Sequence, residues 1–186
     1  PGNHSDSLLQ VLTEAIENQD VSVRLRLDRI EKLKAQLRSL NGNSQDRYFE
    51  LHNALYHEYK TFIYDSAFAY AQKLIETSYR LGDKSKIGYS RVKLGFILIS
   101  SGMFKETFDS LAAAPVSFMA DTTRVEYYSI MARAYYDLGT YNNDHYYQST
   151  YAALANLYMD SAKYLSKPDS YDYLYLSGLQ NLKNNR

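Results

Sequence analysis

The sequence contains no cysteine and no tryptophan, and it has only 3 prolines and 8 glycines among 186 residues. Without cysteine the chain has no disulfide framework, no thiolate metal site and no thiol nucleophile. The shortage of proline and glycine leaves long helices with few breakers and supplies little of what turn-rich β architectures need. We therefore expect an all-α fold.

An excess of charge of one sign is also missing. Lysine plus arginine and aspartate plus glutamate number 21 each, so the formal net charge is +0. A neutral chain lacks the positive field that attracts nucleic acid, so we expect this fragment to bind none. It also has no apolar run of about 18 residues that could span a membrane. We expect membrane contact only through a segment outside this sequence.

Tyrosine, by contrast, is abundant, with 20 residues of this type. A tyrosine ring gives a large contact area, and its hydroxyl can remain in water, as interface surfaces require. We expect most of these rings to pack between helices and the remainder to line a groove.

The central stretch from Gly88 to Pro115 predicts two helices joined at Gly102. Apolar residues cover nearly all sides of the first helix, which must therefore be buried between neighbours; they are Val92, Leu94, Phe96, Ile97, Leu98 and Ile99. The second helix carries Phe104, Phe108 and Leu111 on one face. This stretch predicts one unit of a helical repeat.

Weaker copies of this unit lie on both sides of it. Met131-Ala132 follows Leu94-Gly95 by 37 residues, and Thr107 follows Ala67 by 40. The offsets predict a single domain of about 9 helices, divided into an N-terminal helix hairpin (1–45), about three divergent units (46–167) and a terminal helix (168–186). We expect the second helix to end at Asn41-Gly42-Asn43. The start at Pro1 without Met and the closing half unit lead us to expect a fragment of a longer protein.

Leu94-Gly95, the glycine seven residues later at Gly102 and the small residue Thr107 resemble the tetratricopeptide repeat. The whole chain, from DSLLQVL through YDSAFAYAQKL and KLGFILISSGMFKETFDSL to MARAYYDLGTYN, is similar to the extracytoplasmic sensor region of membrane-linked transcription regulators from Bacteroidetes. That resemblance implies a right-handed helical-repeat array, a periplasmic location and a role in signal sensing and transcription regulation. A cytoplasmic location is the alternative.

In tetratricopeptide arrays the first helices of successive units line a concave groove. Equivalent positions around the Leu-Gly pair select the candidates for this groove, which are His52, Tyr56, Tyr59, Lys60, Phe96, Arg133 and Tyr136. We expect a protein or peptide ligand there, with a small molecule as an alternative. Packing of the same side chains within the array is the competing structural interpretation.

An insertion, TYNNDHYYQS, separates Gly139 from Thr150. Insertions in repeat proteins form loops on one face, which is often the binding face. We therefore predict a loop whose binding candidates are Tyr141, His145, Tyr146 and Tyr147.

The sequence offers no sign of catalysis. It contains no GxSxG, P-loop, GxGxxG or HExxH motif, and His52 and His57 are five residues apart, about 140° around a helix. We expect no enzyme activity, no metal site and no cofactor. The alternative to ligand binding is a structural scaffold or homodimerisation domain, in which the helix from 20 to 40 pairs two copies through Val23, Ile30 and Leu37.

Overall fold

The computed structural model describes residues 3–17, 19–40, 44–142 and 144–184. Within these ranges the chain forms α-helices, one short 3-10 turn (Val116–Phe118) and no strand. The helices are α1 (Asn3–Glu17), α2 (Gln19–Ser39), α3 (Gln45–Tyr59), α4 (Tyr64–Leu81), α5 (Lys84–Ser100), α6 (Phe104–Ala112), α7 (Asp121–Asn142), α8 (His145–Leu165) and α9 (Tyr171–Asn184). The predicted all-α class is confirmed.

Two glycines end helices, and one of them, Gly102, lies where the sequence predicted a turn. Gly82 follows α4 with a φ of 65°, and Gly102 lies between α5 and α6 with a φ of 72°. This left-handed conformation suits glycine because it lacks a Cβ atom. Between α4 and α5, the Asp83 side chain accepts hydrogen bonds from the backbone N–H groups of Ser85 and Lys86 and so caps the start of α5.

From α3 onward, helices that follow each other in the chain pack against each other. The pairs α3–α4, α5–α6 and α7–α8 are each in contact, and α4 and α6 pack against the helix that begins the next pair. Short connections between packed helices make neighbours antiparallel. The first helices α5 and α7 also contact each other. The result is the stacked array of helix pairs that the repeat offsets predicted.

The central pair explains why the repeat needs a small residue on its first helix. A Cβ atom added at Gly95 would lie 3.0 Å from Cδ2 of Leu111 on α6. Leu111 and Thr107 are completely buried at this contact. Glycine on α5 therefore lets α6 approach closely enough to bury a leucine between the two helices.

Helix α5 is apolar nearly all round because it has neighbours on several sides. It contacts α4, α6 and α7. Val92, Ile97 and Ile99 are all buried, and they belong to the two hydrophobic clusters that lie on either side of α5. The prediction that this helix lies between neighbours is confirmed.

The N-terminal region departs from the predicted hairpin. Every described side chain of α1, from residue 7 to residue 16, is exposed, so α1 does not pack along α2. The seam of α2 is used within the chain, because Ile30, Leu33 and Leu37 pack into the cluster formed with α3 and α4. The predicted end of the second helix at residues 41–43 lies outside the described residues.

The predicted loop of residues 140–149 is wrong. Helix α7 continues to Asn142 and α8 already begins at His145, so Tyr141, His145, Tyr146 and Tyr147 lie on helix ends. The segment contains no glycine or proline, and the Asp144 side chain accepts a hydrogen bond from the backbone N–H of Tyr146. The insertion therefore lengthens two helices instead of opening a loop.

Candidate functional site

Helices α3, α5 and α7 lie in sequence along one side of the array and are linked by polar and aromatic side chains. We call this surface the α3–α5–α7 face, and define it by Asn53, His57, Lys60, Tyr89, Lys93, Phe96, Glu126 and Arg133. First helices of stacked pairs lie side by side, so residues from three distant parts of the chain come together here.

Tyr89 connects α5 to α3. Its hydroxyl donates a hydrogen bond of 2.8 Å to Oδ1 of Asn53 and lies 3.2 Å from Nε2 of His57. Burial raises the pKa of the Tyr89 hydroxyl. Desolvation, together with the positive charges of Lys60 and Lys93, lowers the pKa of the His57 ring. At neutral pH His57 is therefore an uncharged hydrogen-bonding group on this face.

Lys93 connects α5 to α7. Its ammonium lies 2.5 Å from Oε2 of Glu126 and 4.6 Å from the ring centroid of Tyr89. The Lys93 side chain is only 8% exposed, whereas that of Glu126 is 33% exposed. The backbone carbonyl of Lys93 accepts a hydrogen bond of 3.1 Å from the hydroxyl of Tyr56 on α3. This charge pair therefore lies at the junction of three first helices.

A separate charged cluster connects α7 to α9. Nε of Arg133 lies 3.3 Å from Oδ2 of Asp137, and Nζ of Lys183 lies 3.5 Å from Oδ1 of the same carboxylate. Arg133 keeps 43% of its side chain exposed. Its guanidinium can therefore contact a partner molecule while it remains paired with Asp137.

Lys60 and Phe96 form the accessible hydrophobic part of the face. Lys60 is exposed, and its ammonium lies 5.9 Å from the ring centroid of the half-buried Phe96. The Phe96 ring also packs against the hydrophobic clusters on either side of α5. Of the predicted groove residues, Lys60, Phe96 and Arg133 are the three whose side chains remain exposed or half-exposed.

The other four predicted groove residues lie between helices. His52, Tyr56, Tyr59 and Tyr136 are all less than 10% exposed. Tyr59 stacks on Tyr70 of α4, and the hydroxyl of Tyr136 donates a hydrogen bond to Asn156 of α8. Their side chains point at the paired or following helix and are not open to a ligand, so the predicted open groove is corrected at these positions.

His52 provides a test of this burial. Its Nδ1 lies 3.3 Å from the hydroxyl of Thr77, and burial, with a smaller contribution from Lys73, lowers the pKa of the ring to about 4. Protonation of His52 is less favourable in the folded chain than in the unfolded chain. The free energy of unfolding is therefore highest above pH 6.5 and decreases as the pH falls toward 4. We expect this group to lower the free energy of unfolding by about 2 kcal/mol between pH 7 and pH 4.

Urea denaturation of the wild type and of His52→Asn at a series of pH values measures this effect. The variant should lose the part of the pH dependence that belongs to His52. Parallel curves for wild type and His52→Asn would contradict the assignment.

The candidates from the insertion form a separate aromatic group. Tyr141, Tyr146 and Tyr147 are exposed, as is His145. The Tyr147 ring stacks on Tyr151 with a centroid distance of 5.9 Å, while Tyr146 meets Tyr147 edge to face at 4.9 Å. Their role as ligand contacts stays a prediction.

A groove of about 440 Å³ lies between α7 and α8, and Arg124, Tyr128 and Asp160 are among its lining residues. It is open and combines opposite charges with aromatic surface. In the described ranges, no set of three or more histidine, aspartate or glutamate side chains is placed to hold a metal ion. Nor does any helix described here have the length and apolar character needed to cross a membrane.

The chain has stacked antiparallel helix pairs, a small residue on each of the first helices α5 and α7, and a glycine turn within the central pair. These features define a tetratricopeptide-type helical-repeat domain. A family model described as the SusR N-terminal TPR domain matches residues 16–186. The chain belongs to this family. No similar protein was found among curated sequences, and none was found among solved structures.

The residues that link the first helices to each other were not predicted from the sequence. Tyr89 follows Phe49 by 40 residues, and Glu126 follows Tyr89 by 37. Lys93 follows Asn53 by 40. Tyr89 and Glu126 each lie six residues before the small residue of their unit, and Lys93 lies two residues before Gly95. The offsets that align the repeat units would therefore have selected these positions.

Proposed function

We propose that this chain is the sensor module of a membrane-linked transcription regulator, and that it binds a peptide or protein segment on the α3–α5–α7 face without catalysis. The proposal rests on the accessible groups that lie along this face. Lys60, Phe96 and Arg133 offer a cation over an aromatic ring and a half-exposed guanidinium, and His57 adds a neutral hydrogen-bonding ring.

The chemistry of the face favours an extended peptide over a small ligand. Its accessible groups come from three separate helices, so a ligand must be long enough to reach from α3 to α7. Its cations suit peptide carbonyl and carboxylate oxygens, while Phe96 suits an apolar side chain. A small molecule in the groove between α7 and α8 is the second possibility that the same experiment tests.

Sensing requires that binding changes the array. A ligand that contacts α3, α5 and α7 together favours one arrangement of the three helix pairs, which shifts the curvature of the array or its association with other molecules. Membership of the SusR N-terminal TPR family supports a role in regulation. A periplasmic location accords with this proposal and is part of it.

Selection of peptides from a displayed random library against the folded chain tests the proposed function. The affinity of the selected peptides is then measured by titration calorimetry. We expect Lys60→Ala/Arg133→Ala to weaken binding at least about tenfold, because exposed cations at the centre of an interface contribute about 1–2 kcal/mol each. Lys105→Ala/Arg80→Ala removes two exposed cations from α6 and α4 and should leave affinity unchanged.

Three results would overturn the proposal. The first is that no peptide is selected, and the second is that both double variants bind equally well. The third is that binding is instead lost in Arg124→Ala/Asp160→Ala, which would place the ligand in the groove between α7 and α8.

A further inference from the structure

The α3–α5–α7 face carries a local excess of positive charge. Four cations and two carboxylates lie on it and at its border with α9, namely Lys60, Lys93, Arg133, Lys183, Glu126 and Asp137. The chain as a whole has 21 charges of each sign. The excess on this face therefore belongs to the face itself, and it favours a partner that carries negative charge.

Two of these cations have capacity for a partner's carboxylate. Lys60 is exposed, and no carboxylate in the described ranges forms an ion pair with it. Arg133 uses its Nε to contact Asp137, whereas a guanidinium has about four further N–H groups on its two Nη atoms. Asp137 is also shared with Lys183, so one carboxylate serves two cations. Lys60 and Arg133 are therefore the two points on this face at which a partner's negative charges can be paired.

Phe96 lies between these two points. It occupies the same position in its unit as Arg133, directly after the small residue, and packed helices lie about 8–10 Å apart. On the other side, the Lys60 ammonium lies 5.9 Å from the Phe96 ring centroid. A carboxylate that contacts the far side of this ammonium lies about 3 Å further out. The face thus offers a negative, an apolar and a negative contact point at even intervals of about 9 Å.

These intervals match one conformation of a peptide. In a polyproline II helix every third side chain points the same way, and the rise of about 3.1 Å per residue separates such side chains by about 9 Å. In an extended strand every second side chain points the same way, and the separation is only about 7 Å. A strand would therefore be out of register at the third contact point, whereas a polyproline II segment reaches all three.

We infer that the peptide bound by the α3–α5–α7 face is an acidic segment in the polyproline II conformation, with acidic first and seventh residues and an apolar fourth residue. One acidic side chain pairs with Lys60, the other pairs with Arg133, and the apolar side chain packs on Phe96. This inference rests on the proposed function and specifies its ligand.

Synthetic seven-residue peptides test the inference by titration calorimetry, at concentrations up to about 1 mM so that weak binding is detected. The probe has glutamate at both ends, leucine in the centre and proline at the other four positions. Acetyl and amide groups remove the terminal charges, so only side-chain carboxylates remain. Replacing both glutamates with glutamine should weaken binding about tenfold. A peptide of the same composition, with both glutamates next to the leucine, should bind as weakly as the glutamine peptide.

Variants of the protein locate the two contacts. Lys60→Gln and Arg133→Gln should each weaken binding of the glutamate probe about threefold to fivefold, and both should leave the affinity for the glutamine peptide unchanged. Lys105 on α6 provides the matched control, because its side chain is 80% exposed and lies on a second helix. Lys105→Gln should bind the glutamate probe like wild type. Circular dichroism verifies that each variant is folded.

The outcomes separate this inference from the proposed function. Equal affinity for the glutamate and glutamine peptides, or for the two arrangements of the glutamates, would overturn the inference and leave the proposed function standing. The same holds if peptides selected from the displayed library bind this face while the glutamate probe does not. If neither the probe nor any selected peptide binds, the proposed function and this inference both fail.

Discussion

Replacing Glu126 with glutamine is expected to lower the free energy of unfolding by about 2–3 kcal/mol. Glutamine keeps the shape of the side chain but removes the charge that pairs with the Lys93 ammonium at 2.5 Å. Because the Lys93 side chain is almost fully buried, its charge would remain in the array without a counter-ion. Because Glu126 is partly exposed, the loss of unfolding free energy should be smaller than for a fully buried ion pair. Urea denaturation followed by circular dichroism measures the change.

Two further variants show whether burial is the cause. Arg80 and Glu76 form an ion pair in which both side chains are 60% exposed. Glu76→Gln should therefore change stability by less than about 0.5 kcal/mol. Lys93→Met/Glu126→Gln should recover part of the loss, because the uncompensated ammonium is gone. Equal losses for Glu126→Gln and Glu76→Gln would show that the buried pair has no special role.

Replacing Leu111 with alanine should lower the free energy of unfolding by about 2–5 kcal/mol. Leu111 is completely buried and lies against Gly95 at the centre of the central helix pair. The substitution removes apolar contact and leaves a cavity that the two helices can close only in part. The exposed Leu157 gives the matched control, and Leu157→Ala should cost less than about 0.5 kcal/mol.

The space left by Leu111→Ala provides an internal check. Gly95→Ala alone introduces a Cβ atom 3.0 Å from Leu111, whereas the same substitution in the Leu111→Ala chain enters an empty space. Gly95→Ala should therefore be more favourable by about 1 kcal/mol in the Leu111→Ala background than in the wild type. Additive effects of the two substitutions would contradict the close contact described here.

The two predictions concern the parts of the array that connect stability to function. Leu111 holds the second helix of the central pair against the first, while the pair of Lys93 and Glu126 holds two first helices together. Both contacts determine how the accessible groups of the α3–α5–α7 face are spaced. A variant that loosens either contact would also disturb the proposed ligand site.

The sequence predicted the repeat units well because their signals are local. The small residue at Gly95, the turn at Gly102 and the apolar surface of α5 each depend on residues close together in the chain. Helix ends without glycine were harder to predict. The segment from 140 to 149 is polar and aromatic, and its composition alone did not distinguish a loop from two helix ends capped by Asp144.

Exposure of individual side chains was the least predictable property. Tyr56 and Phe96 occupy equivalent positions in their units, yet Tyr56 is buried against the backbone of α5 and Phe96 is half-exposed. The sequence could not show which one would be covered, because that depends on the helix that follows each unit. The polar links from Asn53 to Tyr89 and from Lys93 to Glu126 were missed for the same reason.

The sequence by itself determined the helical class, the division into paired helices and the positions of the glycine turns, because periodicity and backbone preference act within a few residues. Only the tertiary structure decided which side chains of the first helices are accessible, that the seam of α2 is used inside the chain, and that α1 and α9 keep uncovered apolar faces. Those properties depend on contacts between residues 30 to 40 positions apart or more, and each contact is set by the packing of whole helices.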